Sequence, residues 1–188
     1  MPIVELHLLQ GYGAEDKRRL HEGLTNAVRL VVPAGPEAIT VMIHEMDHAN
    51  YSRGGKNRTG APALKDPVGI VKDFLEAMEA RDLKSARALL AEGLVMQFPG
   101  AAPMHALEEL IEWAGPRYRF VKKTYHGFET MQDAGPTALV YCRGTLSGEW
   151  PDRTPFDGIR FIDRFEIEKG RITRQDVWND LAEVKATA

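Results

Sequence analysis

One cysteine, Cys142, stands in the whole 188-residue chain, so no disulfide can form within it and a reducing compartment suits it. No apolar run reaches membrane length, and no basic stretch followed by an apolar core opens the chain. Neither a spanning helix nor a cleaved leader is expected, and a cytoplasmic location is. A strong charge bias is missing too: the net charge is −3, with Lys and Arg spread along the chain. Nothing in that pattern is a nucleic-acid footprint. Gly11-Tyr12-Gly13 lacks the third glycine of a dinucleotide fingerprint and reads as a turn. Asn57-Arg58-Thr59 is a glycosylation acceptor in form only, without meaning unless the chain is secreted. What remains is an ordinary globular mixture, 44% apolar and 27% charged, long enough for one or two domains.

The first positive signal is the opening Met1-Pro2 and the strand behind it. An initiator Met is normally removed ahead of Pro, which would leave Pro2 with a free secondary amine. Every other proline in the chain is an amide without a basic nitrogen. An α-amine titrates at about 7.7–8.0, and apolar surroundings or nearby cations lower that further. A neutral amine can take a proton from carbon or add to an electrophile. Met-Pro alone proves little, since any protein can begin so.

In residues 3–9, Val4, Leu6 and Leu8 share one face, the alternation of a strand. Residues 14–32 are predicted helical, because Leu20, Leu24, Ala27, Val28 and Val31 recur at spacings of three and four. Pro33-Ala34-Gly35-Pro36 ends that helix. A second strand is predicted over 38–46, with Ile39, Val41 and Ile43 on one face. This βαβ order implies parallel strands joined by a crossover. A two-stranded unit of this size is unstable alone in water, so it must pack on something.

Residues 47–66, rich in Gly, Pro and charge, read as a linker or docking arm. Asp66-Pro67 is a helix N-cap followed by Pro at the first helical position. Ile70, Val71, Phe74, Leu75 and Met78 form the apolar stripe of the helix that follows. After an interruption at Arg81-Asp82, helix resumes from Leu83 to Leu90. A short strand is predicted over 94–98 and a helix over 104–114. Strands follow at about 118–131, 137–149, 156–168 and 172–179. Helices first and antiparallel strands afterwards argue an α+β fold.

Residues 2–55 resemble the 4-oxalocrotonate tautomerase family. The resemblance rests on Pro2, Leu8-Leu9-Gln10-Gly11, Ala14-Glu15-Asp16-Lys17, Ile43-His44-Glu45-Met46, Asn50-Tyr51 and Gly54-Gly55. It implies Pro2 as general base or acid in keto–enol chemistry, with Tyr51 lining the proline pocket. It also implies a small-molecule substrate and a homo-oligomer, a dimer or a hexamer. Two positions where the family usually holds carboxylate-binding arginines are Tyr12 and Thr40 here. A substrate less anionic than a dicarboxylate is therefore expected, with Tyr12, Thr40, His44 and Tyr51 as pocket lining.

From about 66 to 184 the chain is similar to the SnoaL-like, nuclear-transport-factor-two-like family, a curved sheet wrapped on a long helix with a pocket inside. Phe74 to Asp82, Phe98-Pro99-Gly100, Ile162 to Phe165 and Lys169 to Trp178 carry the likeness. Where ketosteroid isomerases of that family place a tyrosine and two aspartates, this chain has Phe74, Phe98 and Asp163. Steroid isomerisation by that route is not expected.

His44-Glu45-Met46-Asp47-His48 has the form of the zinc-protease pattern His-Glu-x-x-His. That pattern works on a helix, where both imidazoles share a face. Here it follows a β-branched run, and strand positions four apart lie about 13 Å from each other. No zinc on His44 and His48, and no cofactor, is expected. Asp163 shares a predicted strand face with Ile159, Phe161, Phe165 and Ile167. Such a carboxyl either stays protonated as a hydrogen-bond donor to an oxyanion or is a structural acid paired with, for instance, Arg143, Tyr141 or Trp178. Trp178 is also a candidate for lining a ligand pocket.

The expected protein is an α+β enzyme of two domains, a tautomerase-like βαβ unit at 1–55 and a SnoaL-like cone at 66–188, with a linker at 56–65. Its expected chemistry is isomerase-type proton transfer or hydration by Pro2 on a small carbonyl compound or unsaturated acid. Two alternatives stand beside it. In one the cone is the active part, a cyclase or isomerase using Asp163, and the first unit serves assembly. In the other the protein binds a ligand without turnover.

Overall fold

A computed structural model describes residues 1–132 and 135–187. The chain divides into two compact units, Met1–Ala63 and Leu64–Ala188.

In the first unit, β1 (Ile3–Leu9) and β2 (Thr40–Met46) are parallel neighbours, joined through α1 (Ala14–Arg29). Their register sets Ile3 opposite Thr40, His7 opposite His44 and Leu9 opposite Met46. Val4, Leu6 and Leu8 are half-buried, whereas Ile3, Glu5 and His7 between them are exposed. Lys17 of α1 reaches Glu45 of β2 at 2.6 Å, which identifies the helix-facing side of the sheet. The opposite side is open. Gly13 caps the start of α1, and its N–H donates to Asp16 Oδ2 at 3.1 Å. The helix stops at Arg29, three residues before the predicted end. The residue ahead of a proline is pushed out of helical geometry, so Pro33 withdraws the turn before it. Leu30 and Val31 are left 87% and 85% exposed. Beyond a 3₁₀ turn at His48–Asn50, the predicted linker contains a small hairpin. Its strands are β3 (Ser52–Arg53) and β4 (Lys56–Asn57), turning on Gly54 and Gly55 at φ 61° and 74°. Glycine takes two such values in succession at little cost. None of residues 1–63 is buried. The single chain therefore gives this unit almost no core, and its apolar area is available to another copy.

The second unit opens on α2 (Pro67–Glu79). The Asp66 side chain accepts from the N–H groups of Val68 and Gly69, and Ile70, Val71, Phe74 and Leu75 are buried. The chain breaks at Arg81, whose φ is 59°, and Asp82 caps α3 (Leu83–Ala88). β5 (Leu90–Gln97) starts four residues earlier than expected, at the sequence position assigned to the end of a helix. Its pairing with the last strand outweighs the local helix preference there. α4 (Leu107–Ala114) starts three residues late, because Met104 forms a bridge to Met96. Then come β6 (Phe120–Gln132), β7 (Ala138–Glu149), β8 (Pro155–Glu168), β9 (Arg171–Asn179) and α5 (Leu181–Thr187), the last unanticipated. The sheet order is β5-β9-β8-β7-β6, antiparallel except for β5 beside β9. α2 packs on β6, β7 and β9, so the core lies between helix and sheet. Phe74 meets Phe165 edge-on at 6.1 Å, and Val71, Val140 and Ile172 are fully enclosed. A Cβ on Gly144 would lie 1.9 Å from the Thr124 carbonyl oxygen, so glycine is what lets β7 bend against β6. The whole is α+β, a βαβ unit followed by helices on a curved sheet.

Candidate functional site

Two groups of polar side chains gather, one in each unit. In the first unit Pro2 stands at the entrance to β1. Its carbonyl accepts the Thr40 N–H at 3.0 Å, so the residue is tied to the sheet while Met1 projects, 90% exposed. Thr40 is thereby the predicted site residue nearest Pro2 in the pairing. Tyr12 and Tyr51 lie at the far end of the strand pair. They line a cavity of about 510 Å³ together with Leu9, Met46, Arg53 and Arg58. Arg53 Nη2 donates to Tyr51 Oη at 3.3 Å, and the Arg58 N–H to the Tyr51 carbonyl at 3.4 Å. From Pro2 to Leu9 an extended strand covers about 23 Å. Within one chain, Pro2 and the Tyr12–Tyr51 cavity therefore occupy opposite ends of the sheet.

The cavity also shows what the sequence reading missed. Tyr12 and Thr40 replace two arginines, but Arg53 and Arg58 bring guanidinium groups to the same cavity wall from the hairpin. The available signal was Tyr51 with an arginine two residues on, ahead of Gly54-Gly55. His44 is neither beside Pro2 nor in the cavity. It sits midway along β2, stacked on His7 at 4.8 Å between ring centroids. His48 lies past the strand end in the 3₁₀ turn, where its carbonyl accepts from Asn57 Nδ2 at 3.0 Å.

In the second unit Asp163 of β8 is fully buried. Its partner is none of the three residues suggested from sequence. Lys123, from β6, forms an ion pair with Asp163 Oδ2, and Gln175 Nε2 donates to the same oxygen at 3.4 Å. Arg143 instead pairs with Glu129 at 3.2 Å, and the Tyr141 hydroxyl bonds Arg164. Trp178, opposite Ile162 in the register, lies on the outer face of the sheet and is 53% exposed. The strand period of two puts positions 162 and 178 on the face opposite Asp163. Lys123 reaches the carboxylate because its four-carbon stem is long enough to cross from a strand two places away, and it also lies 4.5 Å over the Phe161 ring. Among the described residues, Asp163 Oδ1 and Gln175 Oε1 are buried acceptors with no hydrogen-bond donor.

Above this group is a cavity of about 280 Å³ lined by Phe74, Phe98, Tyr118, Lys123, Tyr125 and Gln175. Phe74 and Phe98 are the two positions where the resemblance would place a catalytic tyrosine and aspartate. Burial pushes the Tyr125 hydroxyl above its usual range, with smaller contributions from Cys142 and Asp163. It remains a neutral donor at any physiological pH. Burial likewise pushes the Cys142 thiol up to about 12, and the Asp163 carboxylate opposite it in the register adds to the effect.

The Cys142 shift has a measurable consequence. A thiol with a folded pKa raised from 9.0 to about 12 stays protonated in the fold after the unfolded chain has ionised. Its contribution to stability is complete below pH 9.0 and is lost as the pH climbs from there through about 12. The slope is about 1.4 kcal/mol per pH unit for one group. Urea midpoints of the second unit's transition should fall over that range and fall less in Cys142→Ala; an equal fall in both would remove the thiol as the cause.

Comparison with known proteins divides along the same two units. The family profile described as tautomerase enzyme matches residues 2–59, and that described as SnoaL-like domain matches residues 71–175. A probable tautomerase from Halalkalibacterium halodurans is 43% identical over 56 residues, 30% of this chain and 92% of that protein. The 2-hydroxymuconate tautomerase of Bacillus subtilis is 41% identical over 56 residues, 30% and 90% of the two chains. Among solved structures, an NTF2-like protein of unknown function from Burkholderia pseudomallei superposes with a TM-score of 0.52 at 19% identity. That match covers 63% of this chain and 94% of that one. TerC, co-crystallised with polyporic acid, also gives 0.52, at 11% identity over 63% and 95% of the chains. The structural likenesses establish the fold of the second unit. With no helix among the described residues long and apolar enough to cross a membrane, a βαβ unit opening on Pro2 and helices on a curved sheet that bears a cavity, the chain belongs to the tautomerase family over residues 2–59 and to the SnoaL-like family over 71–175, an enzyme of the isomerase class.

Proposed function

We propose that Met1 is removed and that the Pro2 amine carries protons to and from carbon next to a carbonyl, in a small unsaturated acid or ketone. The observation that carries this reading is the placing of Pro2, tied through its carbonyl to Thr40 while the residue before it stands in solvent. An aminopeptidase can reach Met1, and its removal leaves the new amine at a fixed point of the sheet. Tyr12, Tyr51, Arg53 and Arg58 form the complementary half of the site. Their distance from Pro2 within one chain requires that half to come from another copy. The lack of any buried residue in 1–63 supports such association, as a dimer or a hexamer. Arg53 and Arg58 favour a substrate carrying a carboxylate, since a guanidinium fork matches it in shape and charge. A single carboxylate remains within the sequence-based expectation of a substrate less anionic than a dicarboxylate. A cytoplasmic setting agrees with a single, buried thiol.

The first substrate to try is 2-hydroxymuconate, for which the Bacillus subtilis relative is named. Intact mass of the purified protein is expected to lack one methionine, and ultraviolet spectra should follow ketonisation. Light scattering should find no folded monomer at micromolar concentration. A full-length mass with Met1 retained, or a stable folded monomer that turns the substrate over, would count against the reading.

A second reading is favoured by one specific observation. Gln175 Oε1, buried and undonated, belongs to a side chain lining the second cavity beside Lys123 and Tyr125. A mostly apolar ligand with a carbonyl or anionic oxygen for Lys123 and Tyr125 and a hydroxyl for Gln175 would satisfy all three. In this reading the cone is the isomerase or cyclase, and the first unit serves assembly. Activity that survives Pro2→Ala but disappears in Asp163→Asn selects it.

A further inference from the structure

We propose that the open face of the first unit's sheet carries a divalent transition-metal site, of the zinc type, built from Glu5, His7 and His44. It rests on the register of β1 and β2 and does not need the reading given to Pro2, although His7 also lines the Tyr12–Tyr51 cavity.

The backbone dictates the cluster. β1 and β2 are parallel and set His7 directly opposite His44. Glu5 precedes His7 by two residues, so alternation brings it to the same face. All three side chains are exposed. The imidazoles are 4.8 Å apart between centroids and within 17° of parallel. Lone pairs of imidazole lie in the ring plane, so the stacked rings direct theirs in parallel planes, and turning the exposed rings about χ2 brings one nitrogen of each toward a common point. Glu5 Oε2 is 3.8 Å from His44 Nε2. One ligand atom from each residue lies within 4.8 Å of the others. On a tetrahedral zinc with Zn–N bonds of about 2.0–2.1 Å, neighbouring ligand atoms stand about 3.4 Å apart. Side-chain rotations that unstack the two exposed rings cover the difference, with no movement of the sheet.

The chemistry of the donors agrees with the geometry. Two imidazoles and one carboxylate form a three-ligand set that suits zinc and leaves a fourth position open. No lysine or arginine stands among the residues that alternation places on this face of β1 and β2. The cation of β2's other side, Lys17, is engaged with Glu45. Neighbours on the open face include Ile3, 59% exposed, and Met42, 36% exposed, which neither ligate in place of the triad nor repel a cation. The cations that share a cavity with His7 are Arg53 and Arg58, carried by the 52–58 segment and not by the sheet.

The sequence had pointed to zinc through His44 and His48, and strand geometry argued against that pair. The structure keeps His44 and replaces His48 by His7, distant in sequence and adjacent across the ladder. A metal here would clasp β1 to β2, the only two strands of that sheet. Binding to the folded unit alone stabilises it.

The test uses the full chain, stripped with a chelator, dialysed, and titrated with zinc chloride by calorimetry, with elemental analysis of the product. One zinc per chain is expected, with a rise in the thermal midpoint of the first unit. His7→Ala, His44→Ala and the milder Glu5→Gln should each weaken zinc binding at least tenfold, while His48→Ala should leave it unchanged. Circular dichroism of Glu5→Gln checks that folding is kept. No uptake at micromolar zinc overturns the proposal. So does uptake indifferent to His7→Ala and Glu5→Gln, or uptake lost in His48→Ala.

Discussion

Blocking the Pro2 amine, by retaining Met1 or by acylation, is expected to lower kcat/KM for an enolisable acid by about 10²–10⁴, the range a positioned general base supplies. Retained Met1 turns Pro2 into a tertiary amide, which has no basic lone pair. Pro2→Ala should fall between the blocked and native forms. It keeps an α-amine of ordinary basicity, about 7.7–8.0, but loses the ring that fixes the nitrogen's direction. The size of the effect depends on the amine titrating near or below neutrality, so the pH–rate profile of the native form should show an ascending limb in that region. The blocked form should lose this limb along with its rate.

The separation of Pro2 from Tyr12 and Tyr51 adds a sharper arm. Chains with Pro2→Ala and chains with Arg53→Ala and Arg58→Ala, each impaired alone, should regain activity when unfolded and refolded together. Mixed assemblies then hold some sites with native Pro2 from one chain and native arginines from the other. A blocked protein with full activity would remove Pro2 from the chemistry. Failure to complement would place the whole site in one chain, against the distance along β1.

Lys123→Met is expected to destabilise the second unit by about 3–5 kcal/mol, the usual result of leaving a buried charge without its partner. The lower end applies here. Asp163 is fully buried, but the Lys123 side chain is 21% exposed and reaches the cavity, so water can follow it in part. Asp163 Oδ1 already lacks a donor, and removing Lys123 leaves Oδ2 with only the 3.4 Å contact from Gln175. Asp163→Leu alone leaves an unpaired ammonium, which can turn toward the cavity, and should cost less. The double variant Lys123→Met with Asp163→Leu should recover most of the loss, because a hydrophobic pair of similar volume often equals or exceeds a buried ion pair. The cycle of four proteins gives the coupling directly. A single-variant loss below about 1 kcal/mol, the scale of an exposed ion pair, would mean that the pair is solvated.

Much of the architecture was readable without coordinates. The period of two in residues 3–9 and 38–46, and the period of 3.6 between them, specify a βαβ unit. Alternation from β6 to β9 specifies a run of antiparallel strands, and its curvature was an implication of the SnoaL-like resemblance. Asp163 stood out because a carboxylate interrupts a row of Ile and Phe, and burial followed from that row alone. Both families were legible in local motifs. The errors sit where a long-range pairing overrides local preference. β5 begins inside a stretch of good helix formers because β9 offers it a ladder. The 52–57 hairpin was hidden in composition that reads as linker, since two glycines suit a disordered arm and a tight turn equally.

What the sequence determined by itself is the class of each half and the presence of Pro2, because periodicity and motif are local properties of the chain. The partner of each polar group was decided only by the tertiary structure. Lys123 lies 40 residues from Asp163 in sequence, and no spacing rule links a lysine on an edge strand to an acid two strands inward. The pairing of His7 with His44 depends on where a crossover of a helix and two turns sets the register of β2. A shift by one residue would send His44 to the helix side and Glu45 to the open face. Arg53 and Arg58 reach the Tyr12 cavity because a hairpin folds them back toward the end of β1. These are outcomes of chain reversal and register, fixed by packing over the whole unit rather than by any stretch of residues read alone.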